Sequence, residues 1–310
     1  MRRDVAIGIG DDGAVTQVPE KQLLVTTTDT LVEGTHFLPN TDAAAIAHKA
    51  IAVNLSDLAA MGAEPAWISL SLSIPQADQA WLAAFADKIH QLSQYYGFQL
   101  IGGDTVQGPL AVTITAQGFV PTGSVLRRDG AALNDLVYVT GTLGDAGLGL
   151  DLLQDKLAIN NKTDFDFLTK RHWFPTPRVL AGTTLRRLAS ACIDLSDGLI
   201  RDAQQIADAS SVGMLIHLEK LPLSPALGNN IECLEQALSY ATGSGDDYEL
   251  LFTVSEDNRV TVETALQSYD IPFTCIGQVT GASGKIDLSL DEHKFAVSQL
   301  NRQGFEHFAS

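Results

Sequence analysis

Cysteine and basic residues are both scarce in this chain of 310 residues, and each shortage excludes a class of protein. Cys192, Cys233 and Cys275 are odd in number and far apart, so they form neither a disulfide framework nor a metal-ligand spacing. Twenty Lys and Arg stand against 37 Asp and Glu, which gives a formal net charge of −17. That balance argues against nucleic-acid binding and against anionic membrane surfaces, because both partners attract a basic face.

Long apolar runs are missing as well. No apolar stretch reaches the length of a membrane span, and residues 1–6 hold no run long enough for a signal peptide. We therefore expect a reduced, cytoplasmic protein with no membrane partner and no nucleic-acid partner. The length suffices for two domains, and a segment with Pro and Gly at 121–130 predicts a division into residues 1–124 and 125–310.

The stretch Asn54–Gly62 carries an acid in apolar surroundings. Apolar residues recur at helical spacing from Thr41 onward, which predicts a helix that ends at Gly62. Asn54 and Asp57 are three positions apart, so they share one face of that helix. A buried carboxylate needs a partner. Taken alone, Asp57 is explained by a hydrogen bond to the backbone near the helix end, and Asn54 is expected to orient it.

A similar context recurs along the chain, with an acid beside Gly, Ser or Thr at a turn or at the end of an apolar element. We expect Asp29 and Asp104 at the ends of predicted strands, and Asp194 and Asp197 after a short apolar strand. Taken singly, an acidic turn explains Asp12 and a helix N-cap explains Asp197. The acids that share this context are Asp12, Asp29, Asp57, Asp104, Asp194 and Asp197.

Convergence of these acids would create a cation site. Two carboxylates about 4 Å apart repel by roughly 4 kcal/mol at an effective dielectric of about 20, so a cluster needs protons or cations. Because soft ligands are absent from the set, Mg²⁺ or Mn²⁺ is favoured over Zn²⁺. Mg²⁺ takes few protein carboxylates and shares phosphate oxygens, so many acids indicate several ions and a polyphosphate. These considerations predict phosphoryl transfer, with Arg128 or Lys49 neutralising charge.

Two glycine-rich segments invite a nucleotide-binding interpretation. Gly8, Gly10 and Gly13 have the spacing of a dinucleotide fingerprint. We reject that reading, because aspartates stand in the phosphate position and a β-rich run follows where a helix should begin. The glycines within 141–149 follow the predicted strand Leu136–Thr140 and precede a helix, a context that suits a phosphate cradle.

The segment Trp67–Ile74 alternates with period two. One face carries Ile and Leu, and the other carries mostly serine. Such a strand belongs to a mixed or mostly antiparallel sheet with one partly wet face. Because serine is too small and weakly polar for an ordinary solvent-facing side, we expect this face to meet a second sheet across a dimer.

Six segments, in order along nearly the whole chain, resemble those of the thiamine-monophosphate kinases. They are Gly10–Asp12, Thr28–Phe37, Asn54–Gly62, Gly102–Thr105, Ile193–Gly198 and Asp246–Leu250. The resemblance implies an α/β (α+β) fold of the aminoimidazole ribonucleotide synthetase type. In that fold a mixed N-terminal sheet forms a barrel across a homodimer, and a C-terminal α/β domain follows. The implied activity is direct phosphorylation of thiamine monophosphate to thiamine diphosphate, with ATP as co-substrate and several Mg²⁺ ions.

By position in the matching segments, the resemblance also implies roles for individual residues. The implied metal ligands are Asp12, Thr27 (through its backbone), Thr28, Asp29, Asp57, Asp104, Asp194 and Asp197. The implied ATP contacts are Arg128 and Ser196, and the implied thiamine-side contacts are His36, Asp246 and Phe305. His36 beside Phe37 is explained equally well as a packed or hydrogen-bonded residue. Asp246 stands where the family commonly has Glu, so the shorter acid is expected to reach the substrate differently.

Three alternatives compete with a kinase. The first is an ATP-dependent ligase of the aminoimidazole ribonucleotide synthetase type, which would release phosphate from ATP. The second is a module that binds a divalent cation or a nucleotide without turnover. The third, a dehydrogenase based on Gly8, Gly10 and Gly13, has the least support.

Overall fold

The structure is a computed structural model that describes residues 2–302 and 304. Phe305, an implied substrate contact, lies outside the described residues. Among the described helices, none combines the length and the apolar character needed to cross a membrane.

The helices are α1 (Ala43–Ala60), α2 (Gln79–Tyr96), α3 (Asp145–Leu153), α4 (Lys162–Trp173), α5 (Val179–Leu185), α6 (Leu199–Ser210), α7 (Pro225–Asn230), α8 (Leu234–Gly243) and α9 (Arg259–Ser268). The strands are β1 (Val5–Ile7), β2 (Val15–Thr16), β3 (Gln22–Val32), β4 (Glu64–Ile74), β5 (Gln99–Gln107), β6 (Ala111–Pro121), β7 (Leu136–Thr140), β8 (Ala191–Asp194), β9 (Gly213–His217), β10 (Leu250–Val254), β11 (Phe273–Thr280), β12 (Ile286–Leu290) and β13 (His293–Phe295).

A four-stranded sheet in the order β3-β6-β4-β5 forms the centre of the N-terminal half. Strand β6 is antiparallel to both neighbours and β4 is parallel to β5, so the sheet is mixed, as the resemblance implies. Helices α1 and α2 pack on its inner face through a core that includes Ile46, Ile51, Phe85 and Ile114. The opposite face of the sheet is here called the outer face.

Helix α1 has the ends that the sequence predicts. The Asp42 carboxylate accepts the N–H of Ala44 at the amino end, which satisfies a donor that has no partner within the helix. The helix stops at Ala60, and Gly62 follows in the left-handed region with a φ of 68°.

Alternation along β3 and β4 decides which side chains reach the inner face. In β3, Thr27, Asp29 and Leu31 are more buried than their neighbours Thr28 and Thr30, so Asp29 points toward α1. In β4 the isoleucines and leucines pack against the core, whereas the serines belong to the outer face. The predicted period-two strand is confirmed.

The expectation that Asp29 and Asp104 lie at strand ends is wrong. Strands β3 and β5 each continue three residues beyond their aspartate. On the outer face the hydroxyls of Thr30 and Thr113 lie 2.9 Å apart, so side-chain pairing supports β3 beyond Asp29. Strand β5 stays in register with β4 as far as Gln107. Both acids therefore project from the middle of the extended backbone.

A seven-stranded mixed sheet in the order β13-β12-β9-β11-β7-β10-β8 forms the C-terminal half. Strand β8 ends at Asp194, as the sequence predicts. The helix predicted over 177–190 is shorter, because Arg186 leaves the helical region with a ψ of 128°. Its guanidinium instead donates to the carbonyl of Gly62 at 2.6 Å and pairs with Glu64 at 2.9 Å.

Helix α1 packs against both halves of the chain. Gly182 of α5 lies so close to α1 that a Cβ there would sit 2.0 Å from the Ala59 carbonyl oxygen. Ser56 of α1 donates a hydrogen bond of 2.7 Å to Asp194 at the end of β8. These contacts fix the carboxyl end of α1 against the C-terminal sheet, and the candidate site forms at this junction.

Candidate active site

A cleft of about 520 Å³ lies between the two halves and follows one side of α1. Lys49, Val53 and Asp57 line it at positions i, i+4 and i+8, so the cleft extends over two helical turns, or about 12 Å. Asp57 marks one end, here called the acidic end, and Lys49 marks the other, here called the Lys49 end. The residues predicted for the site that line the cleft are Thr28, Asp29, His36, Asp57, Asp194, Ser196, Asp197 and Asp246.

Hydroxyl groups hold the carboxylates of the acidic end. Ser56 donates to Asp194, and the Thr27 hydroxyl donates a short hydrogen bond to Asp57. Thr27 thus acts on Asp57 through its side chain. Asn54 does not orient Asp57, contrary to the expectation, because its amide turns back along the helix and donates to the Ala50 carbonyl at 2.9 Å. Asp57 is anchored by the neighbouring strand and not by its own helix.

Burial and mutual repulsion make three carboxylates at the acidic end hard to ionise. Burial and the charge of Asp57 raise the pKa of Asp29 to about 6. Burial, followed by the charge of Asp57, raises the pKa of Asp194 to about 7, although Ser56 and Arg128 oppose the shift. Burial also raises the pKa of Asp57, against the hydrogen bond from Thr27. The three acids would be stabilised by cations.

The loop after β8 is held by an acid that the sequence reading missed. Asp202 of α6 is buried, and its carboxylate accepts the N–H groups of Asp197 at 3.2 Å and Gly198 at 3.0 Å. Asp197 is not the N-cap, because Gly198 occupies that position and the cap has no side-chain hydrogen bond. Burial, then the charges of Asp194 and Asp197, raise the pKa of Asp202 to about 8. The sequence signal for Asp202 is its position as an acid in the first turn of a predicted helix.

The Lys49 end is built around Asp246. Lys49 Nζ lies 2.8 Å from Asp246 Oδ2, and the Tyr248 hydroxyl donates to Oδ1 at 2.9 Å. Burial opposes ionisation of Asp246, but the charge of Lys49 and the hydrogen bonds from Lys49 and Tyr248 hold its pKa below the ordinary value. His36 lines the cleft, and its Nδ1 accepts the N–H of Val32 at 3.0 Å, so the hydrogen-bonded interpretation of this residue is confirmed.

Asp246 and Tyr248 adopt left-handed backbone conformations, with φ values of 62° and 49°. Such conformations cost residues other than glycine about 1 to 3 kcal/mol, and they cluster at functional sites. The side-chain contacts of Asp246 with Lys49 and Tyr248 keep this turn in place. No sequence motif pointed to His172, which contacts Asp246 from α4.

Four described residues predicted for the site do not line the cleft, and one of them is Thr27, which contacts Asp57 from β3. Asp12 is exposed in the turn between β1 and β2, and Arg128 is exposed and donates to Gln205 at 2.5 Å. Asp104 pairs across the strands with Ser71, Ser71 pairs with Thr113, and Thr113 pairs with Thr30 of β3. This row of side chains lies on the outer face, and Asp104 is three strand spacings, or roughly 14 Å, from β3. Within one chain, Asp104 and Asp29 therefore lie at opposite edges of the sheet.

The predicted phosphate cradle at residues 141–149 is already filled by protein. The carboxylate of Asp247 accepts the N–H of Gly144 at 3.0 Å, at the amino end of α3. Asp145 is also buried there and accepts hydrogen bonds from Thr142 and Ser224. Because an internal carboxylate occupies the anion-binding end of the helix, this expectation is wrong.

The donors of the acidic end suit a hard divalent cation shared with a ligand. They are carboxylate and hydroxyl oxygens, the ligands that Mg²⁺ prefers. Among the described residues, no three His, Cys, Asp or Glu side chains are already grouped to hold one ion. A site with so few protein ligands for each ion fits Mg²⁺, which one or two carboxylates usually hold while phosphate oxygens and water complete its coordination.

Comparison with known proteins gives matches over almost the whole chain. The family model "AIR synthase related protein, N-terminal domain" matches residues 10–120, and the corresponding C-terminal domain matches residues 134–288. Thiamine-monophosphate kinase from Escherichia coli K12 is 51% identical over 309 residues, covering 100% of this chain and 94% of the relative. The chain belongs to the thiamine-monophosphate kinase family.

Solved structures of thiamine-monophosphate kinases share the fold. The enzyme from Stenotrophomonas maltophilia K279a superposes with a TM-score of 0.87 at 42% identity, covering 95% of this chain and 93% of that one. AaThiL complexed with AMPPCP and TMP gives a TM-score of 0.81 at 32% identity, covering 97% and 92%. The expected family and two-domain fold are confirmed.

Proposed function

We propose that this chain transfers the terminal phosphoryl group of ATP to thiamine monophosphate, forming thiamine diphosphate and ADP. The observation that carries the proposal is a single cleft with an acidic end at Asp57 and a charge-compensated end at Lys49 and Asp246. The acidic end suits a polyphosphate with its cations, and the other end suits an organic group. Family membership and the AMPPCP and TMP complex of AaThiL support the same assignment.

We assign the cation site to Asp29, Asp57 and Asp194, with Asp197 beside them on the same cleft wall. Bound Mg²⁺ would neutralise and orient the phosphate oxygens between which the phosphoryl group moves. Thr27 and Ser56 keep two of the carboxylates aimed into the cleft. The acceptor is a phosphate oxygen that is already anionic, so the reaction needs positioning and charge neutralisation and no general base.

Arg128 and Ser196 are the proposed ATP contacts. Ser196 lines the cleft between Asp194 and Asp197. Arg128 is exposed outside the cleft, and its charge opposes the rise that burial causes in the pKa values of Asp57 and Asp194. The Arg128 guanidinium in that position is suited to attract and hold polyphosphate oxygens at the entrance of the acidic end.

We also propose a homodimer, in which the outer faces of two N-terminal sheets meet. Asp104 lies on the outer face at the edge strand β5, and Asp29 lies in the opposite edge strand β3. Closing two four-stranded sheets into one barrel brings β5 of one subunit beside β3 of the other. Asp104 would then face Thr28 and Thr30 on the outer face of the partner's β3, which line the partner's cleft, so the predicted ligands would meet across the dimer. The free thiols of Cys192, Cys233 and Cys275 are consistent with the proposed cytoplasmic location.

The test is turnover with purified protein, ATP, Mg²⁺ and thiamine monophosphate. The expected products are thiamine diphosphate and ADP in equal amounts, and the Asp57→Asn variant is the matched inactive control. Release of inorganic phosphate without thiamine diphosphate would indicate the ligase-type chemistry instead. Binding of ATP without any turnover by folded protein would indicate a binding module.

A further inference from the structure

His172 is a buried polar side chain that the proposed chemistry does not use. It lies on α4, is 2% exposed and lines the cleft at the Lys49 end. Within the described part of the chain, neither ring nitrogen has a hydrogen-bond partner. Nearly all buried polar atoms in folded proteins are hydrogen-bonded, so an imidazole with two unsatisfied nitrogens beside a ligand cleft calls for a partner.

The neighbours of His172 keep it neutral. Its Nδ1 lies 3.5 Å from Asp246 Oδ2, but Lys49 already pairs with that oxygen at 2.8 Å. Burial, and then the charge of Lys49, lower the pKa of His172 to about 3, against the charge of Asp246. A neutral imidazole offers one donor and one acceptor. Because no described protein group satisfies either nitrogen, an incoming ligand or a shift of the Lys49–Asp246 pair is needed to supply a partner.

The charge balance indicates what this end of the cleft accepts. Lys49 and Asp246 offset each other, and His172 and the Tyr248 phenol are neutral, so these four side chains carry no net charge. Thiamine monophosphate has a phosphate at one end, a cationic thiazolium in the middle and a neutral aminopyrimidine at the other end. With the phosphate at Asp57, about two helical turns from Lys49, the aminopyrimidine is the part that matches an uncharged, hydrogen-bonding site.

We propose that the Lys49 end of the cleft receives the aminopyrimidine and that His172 is the specificity-determining residue that hydrogen-bonds its amino group. This inference rests on the proposed kinase function. It adds to it the residue that selects the organic part of the substrate. A site with a buried polar group rejects a ligand that leaves the group unpaired.

The experiment pairs protein variants with a substrate analogue. KM and kcat are measured for thiamine monophosphate and for its desamino analogue, in which hydrogen replaces the pyrimidine amino group. For the wild type we expect KM to be about tenfold higher with the analogue, the effect of one neutral hydrogen bond. For His172→Phe we expect the two KM values to converge and KM for ATP to stay the same. His172→Gln, which keeps a donor and an acceptor, should restore part of the discrimination.

His90 provides a matched control, because it is an exposed histidine on α2 and His90→Phe should leave both KM values unchanged. Retention of the full discrimination by His172→Phe would overturn the inference while leaving the kinase function intact. Failure of the wild type to phosphorylate thiamine monophosphate would overturn the proposed function itself.

A second measurement on the wild type removes any dependence on the folding of His172→Phe. Histidine labelled with nitrogen-15 is followed by NMR, and the His172 signals are assigned with His172→Gln. Thiamine monophosphate should shift a ring-nitrogen resonance of His172 by more than the desamino analogue does. Equal shifts with both ligands, or none with either, would contradict a hydrogen bond to the amino group.

Discussion

Ser56 of helix α1 donates a hydrogen bond of 2.7 Å to Asp194 at the end of strand β8. The two residues are 138 positions apart, and the bond connects the helix of the N-terminal half to the sheet of the C-terminal half. Both residues are buried, and Asp57 follows Ser56 directly on the same helix. One helix thus supplies an acid of the site and also orients a second acid from the other half.

Ser56→Ala is expected to weaken Mg²⁺ binding while the protein stays folded. The hydroxyl lowers the pKa of Asp194, so its loss makes this carboxylate harder to ionise and leaves it free to turn. We expect the Mg²⁺ concentration for half-maximal activity to rise by about tenfold to hundredfold, as when an outer-shell partner of a metal ligand is removed. Ser268→Ala, at an exposed serine near the end of α9, is the control and should leave this value unchanged.

Stability of the metal-free protein should fall as the pH rises. The folded-state pKa values of about 6 for Asp29 and about 7 for Asp194 exceed the ordinary value of 3.8. Between these limits the folded protein binds more protons than the unfolded chain, so the free energy of unfolding falls with rising pH. Mg²⁺ should therefore raise the melting temperature more at about pH 8 than at about pH 5. An equal rise at both values would contradict the metal assignment.

Asp57→Asn should raise the stability of the metal-free protein and lower its activity. Removing this charge relieves the repulsion that raises the pKa values of Asp29 and Asp194. We expect a higher melting temperature without Mg²⁺, because the new amide keeps an oxygen that accepts from Thr27. Activity should fall by at least about a hundredfold, more than for loss of an outer-shell partner. A variant less stable than the wild type at neutral pH would show that Asp57 is mainly structural.

Mixed dimers test whether Asp104 acts in the partner subunit. We mix Asp104→Asn with Asp57→Asn under conditions that allow subunits to exchange. If each cleft uses its own Asp57 and the partner's Asp104, a mixed dimer contains one intact cleft, and activity should recover to about a quarter of the wild type. If Asp104 served its own chain, both clefts would remain defective and no activity would return. Each variant incubated alone is the control.

The sequence predicted local structure well and long-range relationships poorly. Helical spacing and a glycine stop located α1, and period-two alternation located β4, because both patterns follow from local geometry. Pattern alone did not show that β3 continues past Asp29, since threonine suits both a strand and a polar turn. The glycines at 141–149 had the composition of a phosphate cradle, and only the tertiary fold brings the Asp247 carboxylate to that position.

Pairings between distant side chains were beyond the sequence reading. The sequence predicts separate roles for Lys49 and Asp246, as a charge-neutralising group and a substrate contact, yet the two side chains lie 2.8 Å apart across 197 positions. The shorter acid at 246 is thus already compensated by a buried lysine. His172 had no motif around it, and its importance follows only from its burial, its missing partners and its place in the cleft.

A crystal structure with Mg²⁺, thiamine monophosphate and a non-hydrolysable ATP analogue tests the central assignment most directly. We predict metal ions coordinated by Asp29, Asp57 and Asp194, between the terminal phosphate of the nucleotide and the phosphate of the substrate. The organic part of the substrate should extend along α1 toward Lys49. Phosphates bound elsewhere, or bound in the cleft without a metal ion on these three carboxylates, would contradict the account.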